Sequence, residues 1–313
     1  MTVLIHDDRP DLYQDLMAEH LAGETTVICQ TYDGLVAAAA DARPEIVYSC
    51  KFAGVPYPRA AFVDLDSVKW VHVAGAGFDH LEPWKRDRMV MTNSAGSQGE
   101  AMGQYVLGAV YGLNFRYHTF LRQQAQRQWR QEDVYTTQGK TMLIVGLGRI
   151  GQVVARYAQA VGMNVIGIRT QAQAIAPVEE VYAVADLKAV LPKADYVVVL
   201  TPYNDATHGL FDATTLAAMK PGASLIHIAR GGIVDEAALA AALDSGHLGG
   251  AVVDVFEAEP LPEDSPLWAA PNLIVTPHVA AIFVGWQRAC FEVFVENLAL
   301  WRAGKPLINR VGV

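Results

Sequence analysis

Apolar residues fall along this chain in two rhythms, short continuous runs and longer stretches with a period near 3.6 residues. In the first hundred residues the short runs are Val3–Ile5, Thr26–Cys29, Ile46–Ser49, Lys69–Val73 and Met89–Thr92, and they predict strands. Helical stretches such as Leu12–Leu21 and Leu35–Ala40 separate them. From Gly99 to Trp129 no proline occurs and the helical period persists. That predicts one long helix, of the kind that spans between domains or forms a subunit interface. A second alternating series opens at Thr141, with strands Thr141–Val145, Asn164–Ile168, Tyr196–Leu200, Ser224–Ile228, Ala251–Val255 and Leu273–Thr276. Helices Ile150–Val161 and Asp235–Ser245 lie among them, and a last helix is expected from Ala281 to Trp301. Strands alternating with helices predict an α/β fold with parallel sheets. The change of texture places a domain boundary near residue 99.

Composition agrees with that picture and narrows the partners. A length of 313 residues suggests two domains, and 52% hydrophobic against 18% charged residues provides for buried cores. The balance of 24 Lys+Arg against 33 Asp+Glu gives a net charge of −9, which argues against a nucleic-acid partner. Cys29, Cys50 and Cys290 are odd in number and lack CxxC spacing, so neither a disulfide framework nor a metal site is expected. The short N-terminal apolar run meets Asp7, Asp8 and Arg9 at once, unlike a signal peptide. The longest uncharged stretch, residues 265–287, carries three prolines and a histidine, unlike a membrane span. A cytoplasmic protein without membrane contact is the expectation.

Residues 141–151 read Thr-Met-Leu-Ile-Val-Gly-Leu-Gly-Arg-Ile-Gly, an apolar strand entering a helix through GxGxxG. In that setting Gly146 permits a tight turn, Gly148 lets a pyrophosphate approach the backbone, and Gly151 lets helix and strand pack closely. Arg149 and Ile150 belong to the same cofactor-binding turn. The pyrophosphate would sit on the helix N-terminus; the alternative is a plain βα turn. The next strand ends in Arg169-Thr170 where NAD recognition calls for a carboxylate. A guanidinium and a hydroxyl suit a 2′-phosphate, so NADP(H) is the preferred cofactor and NAD(H) a possible one. The alternative for Arg169 is a surface residue at a strand end.

Three later strand ends carry ionisable side chains, where open α/β sheets place ligands. One runs through Ala229 into Arg230, one through Asp254 to Glu257 and Glu259, and one through Thr276 into Pro277 and His278. Taken singly, each could be a solvated loop charge or a strand cap.

In this order, behind a dinucleotide fingerprint, they resemble the D-isomer-specific 2-hydroxyacid dehydrogenase family, and more closely its glyoxylate/hydroxypyruvate reductase members. The likeness is specific from Gly139 to Ala281, in VGLGRIG, HIARGGIVDE, AVVDVFEAEPLP and NLIVTPHVA, weaker over Val71–Leu81 and Asn93–Asn114, and faint before residue 60. It implies two Rossmann-like, doubly wound parallel-sheet domains with the active site in the cleft between them. Residues 1–98 with 285–313 would bind substrate and residues 99–284 the dinucleotide.

The resemblance implies a catalytic Arg230, Glu259 and His278. It also implies a substrate-binding loop at Gly75, Ala76 and Gly77 acting with Arg230. Met102, Thr201, Pro202, Ala229 and Asp254 fall at cofactor-contacting positions. Those residue types fit reduction of a 2-oxo acid. A guanidinium fork grips carboxylate and carbonyl oxygens, and an imidazolium protonates the forming alkoxide. A carboxylate on the other ring nitrogen orients that ring. Two positions depart from the family: His227 stands where Asn is frequent, and Gln104 where Glu is frequent. Substrate selection is expected around Cys50-Lys51-Phe52 and Trp286, and a homodimer through the Gly99–Trp129 helix. Phosphite oxidation on the same scaffold, or a dinucleotide-sensing corepressor-like role, are the alternatives. Formate oxidation is disfavoured, because formate dehydrogenases carry Gln at the position of Glu259.

Overall fold

The computed structural model describes residues 1–50 and 59–312; Lys51 and Phe52, an expected place of substrate selection, lie outside the described residues. The chain divides into two compact units, Met1–Gln98 with Ile282–Val313, and Gly99–Ala281. The return to the first unit thus begins at Ile282, ahead of the expected position 285.

In the first unit, β1 (Thr2–His6), β2 (Thr25–Cys29), β3 (Ile46–Ser49), β4 (Trp70–Val73) and β5 (Val90–Asn93) form a parallel sheet in the order β2-β1-β3-β4-β5. Helices α1 (Gln14–His20) and α2 (Leu35–Ala42) follow the first two strands. Alternate residues of these strands serve two cores. Val3, Ile5, Ile46, Tyr48 and Trp70 pack with Phe291, Phe294 and Leu298 of the returning helix. On the other face Leu4, Val47, Val71 and Met91 pack with Leu35 and Ala39. Both faces of β1, β3 and β4 are dry, which is why these strands read as unbroken apolar runs rather than as alternation, while the edge strand β2 is partly exposed.

The second unit opens with α3 (Gly99–Asn114) and α4 (Tyr117–Ala125). Its seven strands are β6 (Thr141–Val145), β7 (Asn164–Arg169), β8 (Glu180–Ala183), β9 (Tyr196–Val199), β10 (Ser224–His227), β11 (Gly250–Val253) and β12 (Leu273–Val275). They form a parallel sheet in the order β12-β11-β10-β9-β6-β7-β8. Between them lie α5 (Arg149–Ala160), α6 (Leu187–Val190), α7 (Ala213–Ala217) and α8 (Glu236–Asp244), and α9 (Trp286–Arg302) closes the chain in the first unit. Val106 and Val110 of α3 and Val154, Ala155 and Ala158 of α5 cover one face of this sheet. Leu216, Leu239 and Leu243 cover the other. Strand order reverses between β6 and β9, the switch point at which such sheets open a crevice along their carboxyl edge.

Three expectations need correction. The single helix from Gly99 to Trp129 is two helices, broken at Arg116 in a left-handed conformation (φ 52°). The Asn114 carbonyl accepts from the Tyr135 amide at 3.0 Å, a tertiary bond that replaces helix continuation. The last helix starts at Trp286 instead of Ala281, because Gly285 before it adopts φ 94°. The short strand β8 joins the sheet edge beside β7, where only four half-exposed residues pair. Among the described residues no helix is long and apolar enough to cross a membrane.

Candidate active site

The glycine turn sits at the switch point. Gly146 follows β6 with φ 112°, and a Cβ there would lie 2.7 Å from the Leu200 carbonyl carbon and 2.8 Å from the Thr201 nitrogen beyond β9. Only glycine lets the two strand ends approach this closely. Gly151 has the same constraint against α5's entry turn, since its Cβ would meet the Gly146 oxygen at 2.2 Å. Gly148, by contrast, faces open space. The first amide of α5 to bond back along the chain is Gln152, to Gly148 at 3.0 Å, so the N–H groups of Arg149, Ile150 and Gly151 point out of the helix end. An exposed Arg149 and a half-buried Arg169 have no side-chain hydrogen bond or ion pair with the described residues, and Thr170 beside Arg169 is exposed. Amide donors, a bare backbone approach and two cations are the donor set a dinucleotide phosphate needs.

Thr201 and Pro202 follow β9, and the Pro202 carbonyl accepts from the Thr207 hydroxyl at 2.7 Å, fixing that loop. Met102 lies in α3 with 7% of its surface exposed. Gln104 is exposed and reaches the Tyr157 hydroxyl at 3.4 Å.

The next three strands end in the ionisable groups. Buried Ala229 and half-buried Arg230 follow β10, where an Arg230 Nη1–H donates to the Ala229 carbonyl at 2.7 Å. Burial pushes the His227 imidazole down to about 4, opposed by the backbone of Arg230. In place of the frequent Asn, this chain therefore has a neutral core histidine. After β11, the Phe256 amide donates to Glu259 Oε1 at 3.1 Å, and Glu259 Oε2 accepts from His278 Nδ1 at 2.8 Å. A carboxylate only accepts, so Nδ1 carries the hydrogen, and Nε2 is the ring atom left for proton exchange.

His278 follows β12 in a left-handed backbone conformation (φ 55°), which few residues other than glycine adopt. Its amide bonds to the Asp254 carbonyl at 2.9 Å. The Asp254 carboxylate, 1% exposed, accepts from the Thr276 hydroxyl at 2.5 Å and from the amides of Val279 and Ala280 at 2.9 and 2.8 Å. Backbone and side chain of one residue thus clamp the turn carrying the histidine. Arg230, Glu259 and His278 thereby share the carboxyl edge of three neighbouring strands.

The first unit presents its loop separately. Gly75 (φ 86°), Ala76 and Gly77 follow β4. The Gly75 carbonyl accepts from the Ser94 amide at 2.8 Å, and the Ala76 carbonyl from Asn93 Nδ2 at 2.6 Å. The amides of Ala76 and Gly77 have no protein acceptor among the described residues, so the loop's carbonyls are tied down and its donors are left over. Sequence reasoning passed over the support. His72 and Thr92 face each other in the β4–β5 register, and two polar residues at one register of buried strands are the signal for it.

Residues 107–280 match the family described as D-isomer specific 2-hydroxyacid dehydrogenase, NAD binding domain. The chain belongs to this family. It is 37% identical over 247 residues to the (S)-sulfolactate dehydrogenase of Chromohalobacter salexigens, covering 76% of this chain and 78% of that one. A D-isomer specific 2-hydroxyacid dehydrogenase family protein from Aeromonas salmonicida superposes with a TM-score of 0.86 at 32% identity, over 99% of this chain and 98% of that chain. An NADPH-dependent glyoxylate/hydroxypyruvate reductase from Sinorhizobium meliloti, solved with NADP and sulfate, has a TM-score of 0.83 at 28% identity, over 100% and 98% of the two chains. The protein is therefore a 2-hydroxyacid dehydrogenase that uses a nicotinamide dinucleotide.

Proposed function

We propose that this dehydrogenase works as an NADPH-dependent reductase of a small 2-oxo acid such as glyoxylate, hydroxypyruvate or pyruvate, giving the D-2-hydroxy acid. The observation that carries the reading is the Glu259–His278 pair at 2.8 Å, which leaves Nε2 as the proton-exchanging atom on the same sheet edge as Arg230. When bound, the dinucleotide supplies the hydride. Arg149 and the α5 amides hold its phosphates, and Arg169 with Thr170 meets a 2′-phosphate. Met102, Thr201, Pro202, Ala229 and Asp254 line its path.

Arg230 grips the substrate carboxylate and polarises the adjacent carbonyl, a bidentate task for which a fixed fork is suited. The amides of Ala76 and Gly77, left without a protein acceptor among the described residues, are donors of the kind a substrate carboxylate takes. His278 gives the Nε2 proton to the forming alkoxide, and Glu259 favours the charged ring and fixes its orientation. The absence of an acid at the end of β7 and the NADP-bound reductase relative support NADPH over NADH. Phe115, Tyr117, Leu121, Trp129 and Tyr135 are exposed in and around α4, which supports a homodimer formed through that region. The test is NADPH absorbance decay with glyoxylate, hydroxypyruvate and pyruvate, and NADP⁺ reduction with D-lactate and sulfolactate. Failure to turn over any of them would remove the reading.

A further inference from the structure

Behind the His278 turn runs a line of hydroxyls that the chemistry above does not use. Tyr105 lies on α3, one turn beyond Met102, and its hydroxyl stands 2.5 Å from Thr276 Oγ1. Thr276 Oγ1 in turn stands 2.5 Å from Asp254 Oδ1. A carboxylate cannot donate, so the Thr276 hydrogen goes to Asp254. The Thr276 oxygen must then accept, and the Tyr105 hydroxyl donates to it. The direction of the whole line is thereby fixed: Tyr105 to Thr276 to Asp254.

We propose that Tyr105 is a positioning residue for the proton donor, acting on His278 through Thr276 and Asp254. The need for such a residue is visible in the backbone. A histidine at φ 55° is held only if its surroundings over-determine it. Asp254 does most of that holding, with its carbonyl on the His278 amide and its carboxylate on the amides of Val279 and Ala280. The same Oδ1 serves both Thr276 and Val279, so its direction depends on where the Thr276 hydroxyl points. A hydroxyl that accepts one hydrogen bond becomes a stronger donor in the next. Tyr105 therefore ties the turn of His278 to α3, a helix packed on the face of the same unit's sheet opposite to α8. Burial pushes the Tyr105 phenol up to about 12, so it remains a donor across the working pH range.

The inference rests on the reading of His278 as the proton donor, and its test has one arm that does not depend on turnover. Tyr105→Phe keeps the ring and removes the donor. Amide hydrogen exchange at Val279 and Ala280 should become faster in this variant, while exchange at Val197 and Val198 of β9 stays unchanged. In steady-state reduction, kcat should fall by about threefold to tenfold, the range for one neutral hydrogen bond. Thr276→Val should lose as much or more, and Thr276→Ser should restore the parent rate. The decisive measurement is the double variant Tyr105→Phe with Thr276→Val. Because Tyr105 acts through the Thr276 hydroxyl, the double variant should match Thr276→Val alone. Multiplicative losses, or unchanged exchange at both amides, would overturn the inference. A parent protein that reduces no 2-oxo acid would instead overturn the functional reading and leave the exchange result to decide the positioning role.

Discussion

Lowering the pH should destabilise the first unit through one buried histidine, His72. Its ring is 0% exposed, with Nδ1 2.8 Å from Thr92 Oγ1 and Nε2 2.9 Å from Ser94 Oγ. Ser94 donates its own hydrogen to the Cys290 carbonyl at 3.0 Å, so it accepts from Nε2–H. Trp70 Nε1–H donates to Thr92 at 2.8 Å, which leaves the Thr92 hydrogen for Nδ1. Every donor and acceptor is matched to a neutral ring, and a second ring proton has no acceptor waiting. Burial lowers the His72 pKa from 6.5 to about 3.

In the unfolded chain the ring titrates near ~6.5. The folded pKa lies below the unfolded one, so the stabilisation is complete above ~6.5 and is lost as pH falls toward about 3. At 1.36 kcal/mol per unit the loss is about 2 kcal/mol by pH ~5 and about 5 kcal/mol once both states are protonated. Urea unfolding followed by tryptophan fluorescence at pH ~7 and ~5 measures it. His72→Gln, whose amide can both donate and accept, should show a pH-dependent loss smaller by about 2 kcal/mol. His6 and His227, each held down to about 4 by burial, titrate in both proteins and cancel in that comparison. Equal losses in the two proteins would refute the reasoning. Ser94 also anchors the Gly75 carbonyl, so the same acidification should loosen the loop of Gly75, Ala76 and Gly77.

Three further outcomes are expected at the candidate site. NADPH should be preferred over NADH by roughly tenfold or more in kcat/KM, and Arg169→Asp should reverse that ratio; equal use of both by the parent protein would exclude a role for Arg169. Arg230→Ala should lower kcat and raise KM for the 2-oxo acid while NADPH binding, read by fluorescence, changes little; a change in KM alone would limit the arginine to binding. Glu259→Gln keeps the shape but removes the charge from a pair whose side chains are 36% and 46% exposed, so kcat should fall by about fivefold, less than a buried pair would give. An unchanged kcat would remove Glu259 from the chemistry.

What the sequence made legible was local or periodic. Eleven strands were readable as short apolar runs, most of them because parallel strands buried on both faces are apolar throughout. Strand β8, Glu-Val-Tyr-Ala at an exposed edge, carries no such mark. The glycine turn was readable because Gly146 and Gly151 answer to backbone a few residues or one strand away, a constraint that admits a single residue type. The break at Arg116 was not, because no proline stands between Gly99 and Trp129 to mark it; the Tyr135 amide that takes the Asn114 carbonyl comes from outside the helical stretch. Asp254 had a cofactor-contacting place through the family resemblance, but its work in holding Thr276, Val279 and Ala280 depends on strand order. Tyr105 meets its partner 171 residues further along, a separation no local pattern encodes.

The exposure of the Glu259–His278 pair has a consequence for the rhythm of turnover. With 46% of its side chain open to water, His278, on the proposed reading as proton donor, would be recharged from bulk solvent after each reduction, without an internal wire of side chains to refill it. Such a donor draws on an unlimited reservoir, and its refilling does not depend on any one distant residue. The half-buried hydroxyls of Tyr105 and Thr276 behind the turn would then hold the ring in place without having to carry protons to it.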